Sequence, residues 1–149
     1  MWLDTRNGPV VLESPPNVLA IIDDFWFHYV TDVGNAGPDR GQGGKYLLLP
    51  PGYDGSVPSG YHVARSNTYG NWFVLRAFMI DGKTEPVVKT IKDHLKVYPL
   101  AEAASPKPVQ FHNVSNKYIN TLHAQDITFF HEVNEVVQEE PNQAFSPEV

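Results

Sequence analysis

Hydrophobic residues in the first half of the chain come in short blocks separated by turn-forming residues. The block Gly8–Ser14 is rich in β-branched side chains and stops at Pro15-Pro16, which predicts a short strand. The next block, Val18–Tyr29, is apolar at both odd and even positions. Because a strand buried on both faces has this pattern, we predict a single central strand across the whole block.

Three further blocks continue the same pattern. Gly34 to Gly44 contains five glycines and a proline and is predicted to be an irregular loop. Strands are predicted at 45–49, 61–65 and 71–80, and Asp81-Gly82 after the last of them is typical of a tight turn. Short strands at this spacing favour an antiparallel sandwich or barrel.

Helical periodicity begins after this point, in two segments. The first has Thr84 as a capping residue and Pro86 in the first turn, and we predict that it runs to about Lys96. The second begins at Asp126, carries an apolar stripe and ends at Pro141; the stripe consists of Ile127, Phe130, Val133 and Val137. Between them, residues 101–108 form a proline-rich linker, so we divide the chain into a sandwich domain at 1–100 and a helical arm at 101–149.

Composition supports a globular domain and excludes several kinds of chemistry. The chain has 149 residues, of which 42% are hydrophobic and 19% charged, a balance typical of one folded domain. It has no cysteine, which excludes disulfides, thiolate zinc sites and a cysteine nucleophile. The net charge is -6 and the lysines of the middle region lie mostly around one predicted helix, so nucleic acid is not expected as a partner. No apolar run is long enough for a membrane span, and Met1 is followed by no visible signal peptide.

An ordered series of short motifs resembles the bacterial domain-of-unknown-function family 1254. Each motif is unspecific alone, but their succession matches the family from about Trp2 to Leu100. The motifs are Gly8-Pro9-Val10-Val11, Asp23-Asp24-Phe25-Trp26, Gly44-Lys45-Tyr46-Leu47-Leu48, Pro51-Gly52-Tyr53, Arg65-Ser66-Asn67-Thr68 and Leu75-Arg76.

The resemblance implies a fold, a location and a domain context. The expected fold is all-β, a jelly-roll-like antiparallel β-sandwich, here with two short C-terminal helices. The family implies an exported protein, periplasmic or secreted, in which a second domain of family 1214 follows. This chain lacks the polar segment that precedes Trp2-Leu3-Asp4 in relatives and stops before the second domain, so we interpret it as a fragment of a longer product.

Two carboxylates and an imidazole suggest one candidate catalytic group. Asp23 and Asp24 adjoin each other close to His28, and Arg65 is a further polar residue in an apolar strand. On a strand only Asp24 and His28 share a face. The alternative is structural, with Asp23 or Asp24 paired to Arg65 or Arg76.

Aromatic and arginine side chains suggest a ligand site. Arginines in apolar strands need a carboxylate partner or an anionic ligand, and with nearby rings they would clamp a sugar or an aromatic acid. The residues of this candidate site are Trp26, Tyr46, Tyr61, Arg65, Trp72 and Arg76. The alternative is that the rings belong to the core.

Other signatures are missing from the sequence. The six histidines show no close metal-binding pair, there is no nucleophile elbow, and the glycine-rich loop is neither a phosphate loop nor a dinucleotide fingerprint, so no metal and no cofactor are expected. We therefore predict a binding or assembly module whose partner is a small ligand, the missing second domain or a second copy of the chain. The alternative is a hydrolytic or metal-assisted enzyme, which requires Asp24, His28 and Arg65 to converge on one cavity.

Overall fold

The computed structural model describes residues 1–141 and shows a mostly-β chain with two four-stranded sheets and two helices. The prediction of two helices is confirmed, although the first helix lies between the last two strands and is not C-terminal to the sheets. The elements are β1 Trp2–Asp4, β2 Val10–Ser14, β3 Val18–Asp24, β4 Tyr29–Gly34, β5 Gly44–Leu49, β6 His62–Arg65, β7 Gly70–Ala77, α1 Glu85–His94, β8 Lys96–Pro99 and α2 Thr128–Glu139.

The two sheets differ in strand direction. The first sheet has the order β1-β7-β3-β4, and all of its pairs are antiparallel. The second has the order β6-β5-β2-β8, in which β5 and β6 run parallel. Apart from the β3–β4 hairpin, most pairs join strands that are far apart in the sequence, such as β1 with β7 and β2 with β8, so the fold depends on long-range pairing.

The main core lies between the sheets and receives alternate side chains from both of them. In β3 the side chains of Ala20 and Ile22 are buried in this core, whereas Leu19 is exposed on the opposite face. This alternation is what a strand with one buried face requires. The buried members are Leu3, Leu12, Ala20, Ile22, Val33, Tyr46, Leu48, Ala64, Phe73 and Leu95.

A second apolar cluster covers the outer face of the second sheet. Val11, Leu47, Leu49 and Tyr98 are buried there, and three partly buried residues pack on them, namely Tyr53, Tyr61 and Leu100. Strand β5 is therefore buried on both faces, which explains why its sequence is apolar without alternation. The outer face of the first sheet has no such cover among residues 1–141.

The prediction of one strand over Val18–Tyr29 is wrong. Strand β3 ends at Asp24, and the chain reverses and returns as β4 from Tyr29. The physical reason is the side chain of Asp24, which accepts hydrogen bonds from the backbone amides of Trp26 and His28 at 2.8 Å each. An aspartate that bonds to the amides following it favours a turn over a continued strand.

Both helices differ in detail from their predictions. Helix α1 ends at His94 rather than about Lys96, because Lys96 begins β8, and Thr84 makes no side-chain capping bond. At the start of α2, Asp126 Oδ1 accepts a bond from the Thr128 amide at 2.9 Å, as a capping carboxylate does. No helix within residues 1–141 is both long and apolar enough to cross a membrane.

The glycine-rich loop between β4 and β5 is organised by one buried carboxylate. Asp39 accepts hydrogen bonds from the amides of Gly34 and Gly43 and from the Tyr46 hydroxyl, at 2.8, 3.1 and 2.5 Å. Gly34 has a φ of 80°, and a Cβ there would lie 2.1 Å from the Val18 carbonyl oxygen. The predicted loop is thus confirmed, and the Asp39 carboxylate joins its two ends.

The end of α2 is anchored to the first sheet through Glu140. This side chain is 7% exposed, and its carboxylate accepts bonds from the amides of Tyr69 and Gly70 at 2.6 and 2.8 Å. Gly70 leaves room for this approach, since a Cβ there would lie 3.0 Å from Glu140 Oε1 and 2.1 Å from the Trp2 ring. No residue of α2 itself is buried, and the Arg6–Glu139 ion pair at 3.5 Å beside it is exposed, so Glu140 is the buried polar attachment of the described arm.

We predict that the substitution Glu140→Ala releases the arm without unfolding the sheets. The two charge-assisted bonds disappear, while the core between the sheets keeps all its members. Limited trypsin digestion should then cleave at Lys107 and Lys117 about tenfold faster than in the parent chain, because the loss of the two bonds lowers the local stability of the arm by about 1.5 kcal/mol. Glu135→Ala, which removes an exposed carboxylate from the same helix, is the matched control. Equal cleavage rates in the two variants would show that Glu140 does not hold the arm.

Candidate functional site

One face of the first sheet presents exposed hydrophobic side chains. On β3 and β7 the outward side chains stand in register, with Leu19 opposite Arg76, Ile21 opposite Val74 and Asp23 opposite Trp72. Trp2 of β1 lies opposite Trp72, and Asp32 of β4 lies opposite Ile21. We call this surface, formed by Trp2, Leu19, Ile21, Asp23, Asp32, Trp72, Val74 and Arg76, the outer face.

Large hydrophobic side chains on the outer face are open to solvent. Leu19 is 40% exposed, Val74 49% and Trp2 42%. Single exposed hydrophobic residues are ordinary on a protein surface, but neighbours that stand side by side across strands form a contiguous patch. Such patches mark places where proteins bind other molecules.

A shallow depression of about 340 Å³ lies in the outer face. Its floor is apolar, formed by Leu19, Ile21 and Val74, and its rim carries Asp32 and Arg76. Within residues 1–141 the Arg76 guanidinium forms no ion pair, so the predicted pairing of Arg76 with Asp23 or Asp24 is not found there. A guanidinium beside an apolar floor is able to bind an anionic group of a ligand.

The candidate catalytic pair, Asp24 and His28, lies in the turn at one end of the outer face. Asp24 is buried, and its Oδ2 lies 3.0 Å from Nδ1 of the half-exposed His28. Its other oxygen accepts the two turn amides described above, so every bond of this carboxylate serves the turn. Asp24 therefore has a structural role in the turn, and its contact with Nδ1 also fixes the orientation of the His28 imidazole.

Aromatic rings surround the same turn. Phe27, at its tip, has a φ of 62° and stacks on Trp72 with 5.5 Å between ring centroids and 21° between ring planes. Trp2 meets Trp72 edge to face at 5.1 Å and Phe25 at 5.4 Å. These contacts hold three exposed rings in a fixed arrangement beside Asp23.

The carboxyl of Asp23 has a perturbed pKa at this end of the outer face. Burial and the neighbouring charges of Asp24 and Asp32 raise the pKa of its carboxyl above the ordinary value. Like charges close together disfavour ionisation, so the negative potential here is not balanced by a nearby cation.

The structure does not bring the predicted site residues into one place. Arg65 lies on β6 of the second sheet, is exposed and donates a long bond of 3.5 Å to the Tyr53 carbonyl. It therefore stands on a different sheet from Asp24 and His28, and no contact joins it to either of them within residues 1–141. The three residues do not line a common cavity among those found there.

The six residues of the predicted ligand site are also distributed over the molecule. Tyr46 is 1% exposed in the core, where burial and its bond to Asp39 raise its pKa above the usual range. Tyr61 packs on the outer cluster of the second sheet, and Trp26 lines a groove beside α2. Trp72 and Arg76 remain together on the outer face, with Arg65 on the other sheet.

Sequence reasoning did not single out several residues of the outer face. Trp2, Leu19 and Val74 contribute to its apolar character and Phe27 stacks on it at Trp72, yet the sequence pattern assigns none of these four residues to a site. The sequence signal that could have found this face is the alternation of side chains along a strand, because Leu19, Ile21 and Asp23 alternate with the buried residues of β3. Within residues 1–141, no group of three or more histidine, aspartate or glutamate side chains is placed to hold a metal ion.

Comparison with known proteins gives a family and a fold. The model of a family described as "Protein of unknown function (DUF1254)" matches residues 1–99. No curated protein matches the chain. The chain is similar to the crystal structure of the VPA0106 protein from Vibrio parahaemolyticus, with 20% identity and a TM-score of 0.61 over 99% of this chain and 42% of that one. It thus spans less than half the length of that protein, and at this identity the likeness concerns the fold alone.

Proposed function

Because the chain belongs to the DUF1254 family of proteins of unknown function, we propose that it is a binding module that assembles with a further domain of a longer protein. The observation that carries the proposal is the outer face, where Leu19, Ile21 and Val74 stand side by side, with Leu19 and Val74 open to solvent. Domains within one chain pack through surfaces of this kind. The uncovered face thus acts as the docking surface.

The length of a similar protein supports this occupant. The match to the VPA0106 protein covers 42% of its chain, so more than half of that protein lies outside the similar region. A remainder of that length is long enough for a further segment that could cover the outer face. We extend this arrangement to the present chain as part of the proposal.

Two finer statements belong to the same proposal. A jelly-roll topology is supported by eight strands in two four-stranded sheets, although the parallel pair β5–β6 departs from a purely antiparallel arrangement. A periplasmic or secreted location rests on the family resemblance.

Binding of a small anionic ligand is a second candidate function. The observation in its favour is Arg76, which stands at the rim of the 340 Å³ depression with an apolar floor beside it. A depression of this volume fits a small molecule, and its orientation would come from the guanidinium. We do not propose the enzymatic alternative, because Arg65 lies on the sheet opposite Asp24 and His28.

Cysteine labelling tests the docking proposal directly, since the chain has no cysteine of its own. Val74→Cys places a thiol on the outer face, and Gln42→Cys, in the exposed glycine-rich loop, is the matched control. In the isolated chain both thiols should react with a maleimide. In the complete product of the gene that encodes this segment, we expect Val74→Cys to react at least about tenfold more slowly, as for a site that opens at a cost of about 1.4 kcal/mol.

Two results would contradict docking of a further domain. One is unchanged labelling of Val74→Cys in the complete gene product. The other is a gene that encodes no further folded segment beside this one.

A further inference from the structure

One row of side chains crosses the first sheet next to the turn between β3 and β4. Asp23 lies opposite Tyr29 of β4 on one side and opposite Trp72 of β7 on the other, and Trp72 in turn lies opposite Trp2. A register irregularity between Ile22 and Asp23 marks this point of the sheet. Bulges of this kind change the direction of a side chain and occur next to binding sites.

The rings of the row are exposed and held in place. Tyr29 is 64% exposed and Phe27 68%, yet Phe27 is fixed by its stack on Trp72 and by a backbone at φ 62°. That conformation is costly for an aromatic residue and persists because the Asp24 carboxylate binds the amides on both sides of it. The rings are thus arranged before any ligand arrives.

The charge of the row is negative and has no partner inside the described chain. Asp23 makes no hydrogen bond or ion pair within residues 1–141, and the Asp32 carboxylate on the next strand accepts a bond from the Tyr29 hydroxyl at 3.3 Å. Burial, and then the charges of Asp24 and Asp32, raise the pKa of Asp23, and the two neighbouring carboxylates add to the negative potential that a cation beside the rings would meet. Arg76 lies two outward positions beyond Trp72, at the other end of the face.

We propose that Asp23, Phe27, Tyr29 and Trp72 form a binding site for an organic cation of the ammonium or guanidinium type. The rings supply negative π-faces and the Asp23 carboxylate supplies the counter-charge, the combination that recognises quaternary ammonium and guanidinium groups. A metal ion would need more oxygen ligands than this row offers. The site goes beyond the proposed docking function, because it requires only the residues of this chain.

The first test compares a cation with its neutral isostere on the isolated chain at pH 8. Choline and 3,3-dimethylbutan-1-ol have the same shape and differ in charge, and NMR shifts of the Trp72 and Phe27 rings report on the binding of both. We expect choline to bind with a Kd of about 1 mM and at least about fivefold more tightly than the alcohol, as expected for an exposed cation–π site. Equal affinity of the two compounds would overturn the proposal, because binding would then be hydrophobic.

Two variants separate the carboxylate from the rings. Asp23→Asn removes the charge, and Phe27→Gly removes a ring while placing at φ 62° the residue that adopts this conformation most readily. Both should weaken choline about fivefold or more and keep the thermal midpoint of the parent chain. Asp54→Asn, which removes an exposed carboxylate elsewhere, is the charge-matched control and should bind like the parent.

The site would be ruled out if Asp23→Asn bound choline as well as Asp54→Asn. If one of the two variants had a lowered thermal midpoint, choline binding by the other variant would decide the test, since Asp23 lies in β3 and Phe27 in the turn after it. Failure here leaves the labelling result at Val74 unaffected, so the cation site and the docking surface are tested separately.

Discussion

Asp39→Ala is expected to destabilise the chain by about 4 kcal/mol, the largest effect of any single substitution proposed for it. The substitution removes a buried carboxylate that accepts three hydrogen bonds. It leaves the Tyr46 hydroxyl and the Gly34 amide buried without partners, each at a cost of about 1–3 kcal/mol. The measurement is urea unfolding of variant and parent, compared by their midpoints at an unchanged slope.

Two further variants make this prediction specific. Tyr46→Phe removes only the hydroxyl and should cost about 1 kcal/mol, well below Asp39→Ala. Asp39→Asn keeps the shape but places an amide donor against backbone donors, so it should fall between the two. If Asp39→Ala proved no more destabilising than Tyr46→Phe, the backbone of the loop would not depend on the carboxylate and the prediction would be wrong.

The second large effect is expected at Asp24, where alanine should cost about 2 kcal/mol. The turn between β3 and β4 contains no glycine or proline and places Phe27 in a conformation that aromatic residues rarely adopt. The bonds from Asp24 to the amides of Trp26 and His28 are what compensate for this strain. Without them the turn should loosen, and the amide of Phe27 should exchange with deuterium faster than in the parent chain.

A control at His28 distinguishes turn stability from imidazole chemistry. His28→Ala removes the ring but keeps the two amide bonds to Asp24, so it should cost less than about 1 kcal/mol. If His28→Ala destabilised the chain as much as Asp24→Ala, the imidazole contact at 3.0 Å would be the main support of the turn.

The sequence pattern was sufficient where one local signal decided the structure. The apolar run at 45–49 became β5, and Asp81-Gly82 forms the expected tight turn, with φ of 52° and 72° and mutual bonds between Ile80 and Lys83. In both places the neighbouring residues along the chain are enough to predict the element, and the tertiary contacts agree with that prediction.

Where side chains or distant strands decided the structure, the sequence pattern was insufficient. Val18–Tyr29 looked continuous because its turn is made by the carboxylate of Asp24 rather than by glycine or proline. Lys96–Pro99 becomes a strand because β2 offers a free edge for it, and Leu95 before it fits a helical stripe equally well. Local propensity carries no information about such partners.

The prediction of the candidate sites was also limited because strand partners cannot be read from the sequence pattern. A strand pattern shows which residues alternate but not which sheet a strand joins, so Arg65 and Arg76 looked equivalent. They stand on different sheets, and both are exposed rather than buried in ion pairs. Asp24 and His28 do contact each other, but a turn and not a shared strand face brings them together.

Strand β8 has a consequence for the synthesis of the chain. It completes the second sheet by pairing with β2, so Val10 and Pro99 must meet before that sheet is closed. When only the first 95 residues have left the ribosome, seven strands are available and only the second sheet still lacks a member. Until β8 emerges, the edge of β2 is open to pairing with other chains, and this interval is when a nascent chain is most exposed to aggregation.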